Sequence, residues 1–587
     1  MNYTLNTSES STPGGSIVSG VQRLIPLLLE ERIPAISALV AIVCTTVTNL
    51  VSPIFIARAV DTSIRLRDFA GVLSWSLLLL GTYIIGLIAS YVQTITMGGI
   101  GRRVLFKLRN SIFNTLQELP VAFFNQNKAG DLISRINSDT DKLNQFFAQS
   151  LMQFIGNFFL IIGSGIFLVA LHPYLGLAAL VPALVVLIIT HVISPWVKRA
   201  SFTSLQTIGG MSSEIQESIN NFRVIVAFNR LDYFRTTFAT VNENNFRASI
   251  SAGVANTLFT PLYGFAYNLG QLTVLAYGII LISHGQFTVG LLIGFLLYVN
   301  NFYNPLRQLA SVWSSMQLAL AGFDRISEIL ALESNMPVVE SIGAAPMSDH
   351  ALEFLDVSFG YVEGHDILSG ATLLFEKGKT YALVGPTGGG KSTAAALMAR
   401  LYDPTRGTIL LNGEDIRTFS PDARTQKIGF ILQEPFIFTG TVRDNILYGN
   451  DQYHGYSNEQ FVIVLAQSHL NALVSRFERG LDTPVLSSGD SLSLGQKQLI
   501  AFMRVVLRSP EILILDEATA NIDTVTEQLL GEILDNLPST TTKVIIAHRL
   551  NTIENADEIY FVNAGQITLA GSLQAAVDLL LHGKRSS

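Results

Sequence analysis

Six long stretches without Asp, Glu, Lys or Arg occupy the first 306 residues of the chain. They cover residues 33–57, 71–97, 144–171, 173–197, 248–283 and 287–306. An α-helix needs about 20 apolar residues to cross the roughly 30 Å hydrocarbon core of a bilayer. A charged side chain at the centre of such a helix costs about 2.5–3.5 kcal/mol. The pattern therefore predicts six transmembrane helices, the last of which continues past Arg307.

The distribution of Lys and Arg between these stretches predicts their orientation. Residues 102–109 hold four Lys or Arg after the second stretch, and Lys198 and Arg199 follow the fourth. The short connections after the third and fifth stretches hold none. Because Lys and Arg favour the cytoplasmic side, the N-terminus and the two long loops, 98–143 and 198–247, are expected there. Both loops are helical in pattern and are expected to extend the membrane helices.

Beyond residue 350 the pattern changes to short apolar runs that alternate with helical segments. Such runs occur at 379–384, 427–432, 512–515 and 543–547. Strands that alternate with helices are typical of an α/β domain. The predicted organisation is a flexible Ser/Thr/Gly-rich tail over 1–20, a six-helix membrane domain over 21–330, a linker over 331–350 and an α/β domain over 351–587.

Composition supports a membrane protein and disfavours a nucleic-acid-binding one. Charged residues make up 14% of the 587 positions and hydrophobic residues 49%, whereas soluble proteins average about one quarter charged. The net charge is −7, without the basic stripe that nucleic-acid binding needs. Cys44 is the single cysteine, so no intramolecular disulfide forms.

A phosphate-binding loop is predicted at the start of the α/β domain. Residues 385–392 read Gly-Pro-Thr-Gly-Gly-Gly-Lys-Ser, after the strand-like run 381–384 and before a helical run. The glycines allow backbone N–H groups to surround phosphates, Lys391 supplies a positive charge, and the Ser392 hydroxyl suits Mg²⁺. The segment therefore predicts a nucleotide triphosphate site.

Two adjacent carboxylates end the apolar run 512–515. A buried parallel strand would deliver Asp516 and Glu517 at its carboxyl end. Asp516 is placed to hold Mg²⁺ and Glu517 to polarise an attacking water. Gln433 and His548 follow two other strand-like runs, and each alone is more typical of a structural residue.

These features together resemble the nucleotide-binding domain of ABC transporters. The segment Leu492-Ser493-Leu494-Gly495-Gln496 is similar to the signature motif of that family, and the likeness extends from residue 351 to about 570. The resemblance implies that Glu517 is the catalytic base, that His548 contacts the γ-phosphate and that Gln433 senses Mg²⁺ and water. It also implies that ATP is contacted by Tyr361, Gly385, Pro386, Thr387, Gly388, Gly389, Gly390, Lys391, Ser392, Thr393, Gln433, Asp516, Ser493, Gly495, Gln496 and Asp523. The implied metal-binding residues are Ser392, Gln433 and Asp516.

The signature of this family binds ATP that is held by the phosphate loop of a second domain. The chain has one loop and one signature, so the resemblance implies half of a dimer, with an identical or a homologous partner chain. Two departures stand out: Leu494 replaces a glycine, and Ser487 stands where exporters often carry an acid. Ser493 and Gly495 are kept, so a functional site is expected, with coupling between domains altered near Ser487.

The membrane half resembles the half-transporters of the ABC exporter group. Residues 123–139 contain a Phe pair followed by Gly-Asp-Leu-Ile-Ser-Arg-Ile, which is similar to the first intracellular loop of that group, where a short helix docks on the nucleotide-binding domain. A second docking element is expected near 218–229. Ordinary packing under a helix turn also explains the Phe pair.

Polar residues recur at steps of three and four on the fifth and sixth stretches. The two stripes are Asn256, Thr260, Tyr263, Tyr267 and Gln271, and Asn300, Asn304, Gln308, Ser311 and Ser315. They are expected either to line a substrate path or to join helices by polar packing. Because only Arg307 is ionised nearby, a path would suit a neutral or amphipathic substrate.

The expected function is ATP-driven export by a dimeric half-transporter in a prokaryotic cytoplasmic membrane, with the ATPase domain in the cytoplasm. The cargo would be a small amphipathic substrate such as a drug, a lipid or a peptide-like molecule. An ATP-gated channel or regulatory subunit, or an importer with an exporter-like fold, are the alternatives. A soluble-type ABC ATPase that acts on DNA or ribosomes is disfavoured by the six stretches and the missing basic surface.

Overall fold

The protein is described here by a computed structural model. It describes residues 3–5, 26, 29–340, 348–362, 364–486, 492–516, 524–546, 555–572, 574–576 and 579. These residues form two compact units. One, the membrane unit, holds residues 5–117 and 129–332, and the other, the nucleotide-binding unit, holds residues 333–587, 118–128 and Tyr3 and Thr4.

Long apolar helices make up the membrane unit. The helices are Arg32–Arg58, Phe69–Glu118, Ala129–Ser134, Thr140–Gln145, Leu151–Leu171, Pro173–Asn220, Phe222–Ala227, Leu231–Thr257, Phe259–Ser283 and Val289–Leu330. π-Helical turns at Ala59–Ile64, Arg135–Asp139 and Phe146–Ser150 lie between some of them. Within the described residues, six helical segments are long and apolar enough to cross a membrane, which confirms the predicted spans. The sixth continues past Arg307 to Leu330, as expected.

Aromatic residues and backbone carbonyls join the membrane helices. The ring of Tyr298 stacks on Phe167 with centroids 5.2 Å apart, and its hydroxyl donates to the Leu50 carbonyl. The hydroxyl of Tyr303 donates to the Ala179 carbonyl at 2.8 Å. Polar groups inside a bilayer need a partner within the protein, because lipid tails offer none. These bonds therefore tie the sixth span to the first and the fourth.

A group of ion pairs lies near the C-terminal end of the sixth helix. The Arg135 guanidinium, fully buried, donates to Asp131 at 2.9 Å, to Glu328 at 2.7 Å and to the Arg325 carbonyl at 2.7 Å. Arg325 pairs in turn with Asp131, and with Asp139 at 2.9 Å. A buried charge is tolerated only where it is paired and hydrogen-bonded. The cluster therefore fixes residues 131–139 against the last turns of the sixth helix.

The nucleotide-binding unit is built on two main sheets, which confirms the predicted α/β fold. A sheet of four strands has the order β2-β1-β4-β5, and one of six strands has the order β12-β11-β3-β10-β9-β6. The strands are β1 His350–Phe359, β2 Leu368–Glu376, β3 Thr380–Val384, β4 Arg406–Leu411, β5 Glu414–Asp415, β6 Ile428–Ile431, β7 Gly440–Thr441, β8 Pro484–Val485, β9 Ile512–Asp516, β10 Thr542–Ile546, β11 Glu558–Asn563 and β12 Gln566–Leu569. The pairs among β6, β9, β10, β3 and β11 are parallel.

Short helices surround these sheets. They are Val121–Gln126, Lys391–Met398, Pro421–Lys427, Val442–Leu447, Asn458–Gln467, Asn471–Val474, Leu494–Val506 and Thr524–Asp535. Parallel strands covered on both faces read as continuous apolar runs, and all five residues of β9 are buried. We name Val121–Gln126 the first docking helix and Phe222–Ala227 the second docking helix. The first groups with the nucleotide-binding unit, although its neighbours along the chain belong to the membrane unit.

Tyr3 to Leu5 are packed rather than free. Both Tyr3 and Leu5 are buried, in contrast to the flexible tail that the composition of residues 1–20 predicts. The rest of that predicted tail lies outside the described residues, as do residues 341–347 of the predicted linker. The domain boundaries themselves stay a prediction.

Candidate nucleotide site

The phosphate-binding loop lies between the central strand β3 and the helix Lys391–Met398. Gly390 stands at the N-terminal cap of that helix with φ 110°, and Gly388 has φ 82°. A Cβ atom on Gly385 would lie 1.9 Å from the Val562 carbonyl oxygen, so a side chain cannot fit there. The glycines thus allow the close turn that directs backbone N–H groups toward an anion at the start of the helix.

Lys391 is buried beneath this loop. Its ammonium group donates to the carbonyl oxygens of Gly385 at 2.9 Å and Pro386 at 3.0 Å. These two bonds hold the positive charge inside the curve of the loop. A phosphate group there would meet a charge that is already in position, which is the role predicted for this lysine.

Ser392 and Asp516 place two oxygen atoms that could bind a metal next to each other at the loop. The Ser392 hydroxyl lies 3.4 Å from Oδ1 of Asp516. Strands β9 and β3 both pair with β10, and their ends lie in register. Asp516, the last residue of β9, is therefore brought next to the loop that follows β3. Mg²⁺ prefers oxygen ligands and is commonly held by one or two protein groups together with phosphates. The two residues fit that ion. Within the described ranges, no cluster of three or more His, Cys, Asp or Glu could hold a metal.

Four parallel strands end at the same edge of the sheet. Ile546 at the end of β10 pairs in register with Leu383 of β3 and with Asp516 of β9. Ile431 at the end of β6 pairs in register with Leu515 of β9. Ligands of open α/β sheets bind beyond the carboxyl ends of the strands. Gln433 follows β6 by two residues and is exposed at this edge.

Tyr361 presents an exposed aromatic ring beside the loop. Its hydroxyl lies 3.2 Å from Oγ1 of Thr393 in the helix that follows the loop. Phe359 and Tyr402 meet it edge-on, with ring centroids 5.0 Å and 5.2 Å away. The two neighbouring rings therefore fix the orientation of the Tyr361 ring, while much of it stays exposed to solvent. This arrangement suits stacking on a base.

The signature segment forms the start of the helix Leu494–Val506. Ser493 caps this helix: the Gln496 N–H donates to the Ser493 hydroxyl at 3.2 Å, and the Ser493 N–H donates to the Gln496 side chain at 3.0 Å. Gln496 also donates to the Arg476 carbonyl at 3.1 Å. Gln496, predicted to contact ATP, thus has structural bonds in this single chain. Leu494, in the place of a glycine, is exposed at the first position of the helix and does not disturb the cap.

Four residues singled out from the sequence lie outside the described part of the chain: Ser487, Glu517, Asp523 and His548. Their roles stay predictions. The structure also adds one residue that the sequence did not single out: Tyr402, whose hydroxyl accepts a 2.7 Å hydrogen bond from Asn125 of the first docking helix. Burial raises the pKa of the Tyr402 hydroxyl. No motif marks this tyrosine, because its partner is 277 residues away in the chain.

The two polar stripes of the membrane unit meet each other. Tyr267 accepts hydrogen bonds from Gln271 at 2.6 Å and from Asn300 at 3.3 Å, and Asn304 donates to Asn300 at 2.7 Å. Tyr263, buried, accepts from Thr190 at 3.3 Å. The Asn300–Tyr267 and Thr190–Tyr263 bonds join helices, as polar packing would, whereas the other two bonds lie within one helix. Together they place a row of uncharged polar groups side by side.

The remaining stripe residues lie outside this group of hydrogen bonds. Asn256 donates to Ser201 at 3.1 Å, and Gln308 accepts from Asn157 at 3.2 Å. Thr260 is exposed. Ser315 is half-buried, and the side chain of Ser311 lies outside the described residues. The choice between a substrate path and polar packing therefore stays open.

Two family models match this chain. The ABC transporter transmembrane region matches residues 35–306, and the ABC transporter model matches residues 368–520. The first matched region falls in the membrane unit except for residues 118–128, and the second falls in the nucleotide-binding unit.

Curated relatives cover nearly the whole chain. "Uncharacterized ABC transporter ATP-binding protein YfiC" of Bacillus subtilis is 31% identical over 94% of this chain and 91% of its own length. "Fatty acid ABC transporter ATP-binding/permease protein" of Mycobacterium bovis is 30% identical over 86% of this chain and 79% of its own. "Multidrug resistance ABC transporter ATP-binding and permease protein" of Lactococcus lactis is 30% identical over 84% and 83%.

A solved structure shares the fold. The chain aligns with a bacterial Atm1-family ABC exporter with ATP bound, with a TM-score of 0.75 over 94% of this chain and 96% of that one. The sequence identity is 24%, so this likeness speaks for the fold alone.

Proposed function

This chain belongs to the ABC transporter family, and from that premise we propose that it is an exporter half-transporter that moves a neutral or amphipathic substrate out of the cytoplasm as part of a dimer. Its ATP-binding domain hydrolyses ATP in a reaction coupled to transport. The observation that carries the proposal is the phosphate loop, with Lys391, Ser392 and Asp516 assembled around it, on the same chain as six membrane helices.

The geometry supports distinct roles for the residues around ATP. Lys391 holds the charge of the outer phosphates, and Tyr361 stacks on the adenine. Ser392 and Asp516 would hold Mg²⁺, with Gln433 as a further ligand, and the ion would neutralise part of the phosphate charge. Glu517 then orients the attacking water and His548 contacts the γ-phosphate, as the family resemblance implies.

A dimer is supported by two features of the single chain. The signature helix begins with a capped N-terminus, and such a terminus attracts an anion. In the family, that anion is ATP held by the partner's loop. In addition, the second docking helix leaves large apolar side chains exposed, including Phe222, Val224 and Phe228. Contiguous exposed apolar patches mark interaction sites. We assign this patch to the nucleotide-binding domain of the partner chain.

The substrate class follows from the uncharged polar row and from two relatives. Tyr267, Asn300 and Asn304 offer hydrogen bonds but no charge. One relative is named for fatty acids and another for multidrug resistance. A fatty acid is amphipathic, which suits a path lined by aromatic and amide side chains. The bacterial relatives also support a prokaryotic cytoplasmic membrane, with the ATPase domain in the cytoplasm.

The decisive experiment is ATP hydrolysis by the purified chain in lipid nanodiscs. Wild type is compared with Glu517→Gln and with Glu459→Gln, a control that removes an exposed carboxylate from the helix Asn458–Gln467. If wild type hydrolyses ATP, Glu517→Gln does not and Glu459→Gln does, the result would support a homodimer with Glu517 as the base. ATP binding without hydrolysis would indicate a homologous partner chain. Activity that survives Glu517→Gln would contradict the catalytic assignment.

Transport is tested in inside-out vesicles with a fluorescent amphipathic dye. ATP-dependent uptake into such vesicles supports export, whereas ATP-dependent loss of preloaded dye would favour an importer. Conduction that continues after ATP hydrolysis is blocked would favour an ATP-gated channel. Tyr267→Ala and Asn304→Ala are expected to reduce uptake, with Tyr91→Ala, an exposed tyrosine of the second span, as the control. Unchanged uptake in both would show that the stripes only join helices.

A further inference from the structure

Tyr3 is packed inside the nucleotide-binding unit, far in sequence from the residues that surround it. Its side chain is 3% exposed. The ring meets Phe123 of the first docking helix edge-on, with centroids 6.3 Å apart and an interplanar angle of 89°. Edge-to-face aromatic pairs add stability beyond the burial of their area. The ring of Tyr3 therefore covers the one fully buried aromatic residue of the docking helix.

The backbone of Tyr3 is bonded to the end of the same helix. Its N–H donates to Oε1 of Gln126 at 2.7 Å, and its carbonyl accepts from Nδ2 of Asn127 at 2.9 Å. Asn127 also donates to the Phe123 carbonyl at 2.8 Å. A six-residue helix is too short to be stable alone and needs such outside bonds.

The hydroxyl of Tyr3 reaches a different part of the unit. It donates to the Glu333 carbonyl at 3.2 Å and accepts from the Asn335 N–H at 2.9 Å. Burial raises the pKa of this hydroxyl, so it stays protonated and able to donate. Residues 333–335 follow the last membrane helix and begin the main part of the nucleotide-binding unit. One side chain thus bridges the docking helix and the start of the nucleotide-binding unit.

We propose that Tyr3 is a positioning residue for coupling, which clamps the first docking helix to residues 333–335 so that ATP-driven motion of the nucleotide-binding domain reaches the helix Phe69–Glu118. The role of Tyr3 in coupling rests on the proposed function. The contacts by which Tyr3 clamps the first docking helix to residues 333–335 do not depend on it. A second contact, the hydrogen bond between Asn125 and Tyr402, also holds the first docking helix. Tyr402 in turn meets Tyr361, the residue proposed to stack on adenine. With both contacts present the docking helix cannot turn about either one alone.

Hydrogen exchange of the full chain in nanodiscs, without nucleotide, tests the clamp. Tyr3→Ala removes the ring and the hydroxyl, and we expect exchange at residues 121–127 to become about 10- to 100-fold faster. Tyr3→Phe keeps the ring and loses two hydrogen bonds, so exchange about 5- to 30-fold faster is expected. Tyr174→Ala, which removes a tyrosine that is 76% exposed, should change nothing there. Unchanged exchange at 121–127 in Tyr3→Ala would overturn the clamp.

The same measurement with saturating Mg-ATP tests the positioning role. In wild type, ATP should slow exchange at residues 391–398 and alter it at residues 100–117. In Tyr3→Ala the response at 391–398 should remain, while the response at 100–117 falls by at least about half. A purely structural role for Tyr3 would weaken both responses together, and that result would overturn the proposal. The absence of any ATP response at 391–398 in wild type would contradict the proposed function, and the nucleotide-free exchange still decides the clamp.

Discussion

The two docking helices are alike in length and composition but opposite in their surroundings. Each has six residues, Val121–Gln126 and Phe222–Ala227, and each is mainly apolar and contains phenylalanine. Phe123 of the first is 0% exposed, whereas Phe222 of the second is 57% exposed and Phe228, just after it, is 75% exposed. Only Ile225 of the second helix is buried. The first helix is thus covered within its own chain and the second is not.

This difference shows which docking helix has its apolar face covered within one chain and which does not. An amphipathic helix of six residues gains its stability from what covers its apolar face. The first docking helix finds that cover in Tyr3 and the nucleotide-binding unit. The second exposes its apolar face in this chain, which is the observation behind the proposed dimer. The variants below test whether the two helices differ in this way.

The largest effect is expected from Phe123→Ala. The side chain is fully buried against Tyr3 and Phe124, and its loss leaves a cavity. Such a change costs about 4 kcal/mol. We expect a clearly lower midpoint of thermal unfolding for the nucleotide-binding domain. Phe124→Ala, at a neighbouring and partly exposed ring, is the matched control and should cost much less. Equal losses would mean that the first docking helix is not specifically docked.

Arg135→Ala should have the next largest effect, on the membrane unit. The guanidinium is 0% exposed and pairs with Asp131 and Glu328. Removing one partner of a buried pair typically costs 3–5 kcal/mol, and about 3 kcal/mol is expected because both carboxylates are partly exposed. The control is Arg247→Ala, whose pair with Glu243 is largely exposed and should contribute less than about 0.5 kcal/mol. Chemical unfolding in detergent measures both, and similar values would contradict the buried cluster.

Polar substitutions on the second docking helix test the exposed face. The triple change Phe222→Ser, Val224→Ser and Phe228→Ser should reduce ATP hydrolysis in nanodiscs by about 10-fold or more, because 1.4 kcal/mol of lost docking is a factor of ten. Its effect on the unfolding of detergent-solubilised monomer should be small, since exposed changes rarely exceed about 0.5 kcal/mol. Loss of stability without loss of activity would show that the face is covered within the chain.

The smallest effect is expected from Asn125→Ala. It removes the 2.7 Å hydrogen bond to the Tyr402 hydroxyl, and such a bond contributes about 1 kcal/mol. Tyr402→Phe removes the same bond from the other side. Because the two residues are in contact, the double variant should lose less than the sum of the single ones. Thermal unfolding of the four proteins gives the coupling, and strict additivity would mean that the bond does not form in solution.

Much of the architecture follows from local pattern. The six spans and the α/β domain were predicted from charge-free runs and apolar strands, and the structure confirms both. The phosphate loop was predicted because glycine spacing, Lys391 and Ser392 act within eight neighbouring residues. The roles of Glu517, Asp523 and His548 stay predictions. In contrast, the sequence pattern offered two interpretations of the polar stripes, and the hydrogen bonds between Tyr267 and Asn300 do not exclude either.

Other features needed the tertiary structure because they join distant parts of the chain. Tyr402 meets Asn125 across 277 positions, and Tyr3 meets Asn335 across 332. Composition around Tyr3 predicts a flexible tail, since no local pattern marks a single buried tyrosine. The sequence by itself thus determined the elements, the family and the phosphate loop, whose physics is local. Only the tertiary structure decided which of two similar docking helices is covered, because burial depends on what other segments bring to the same place.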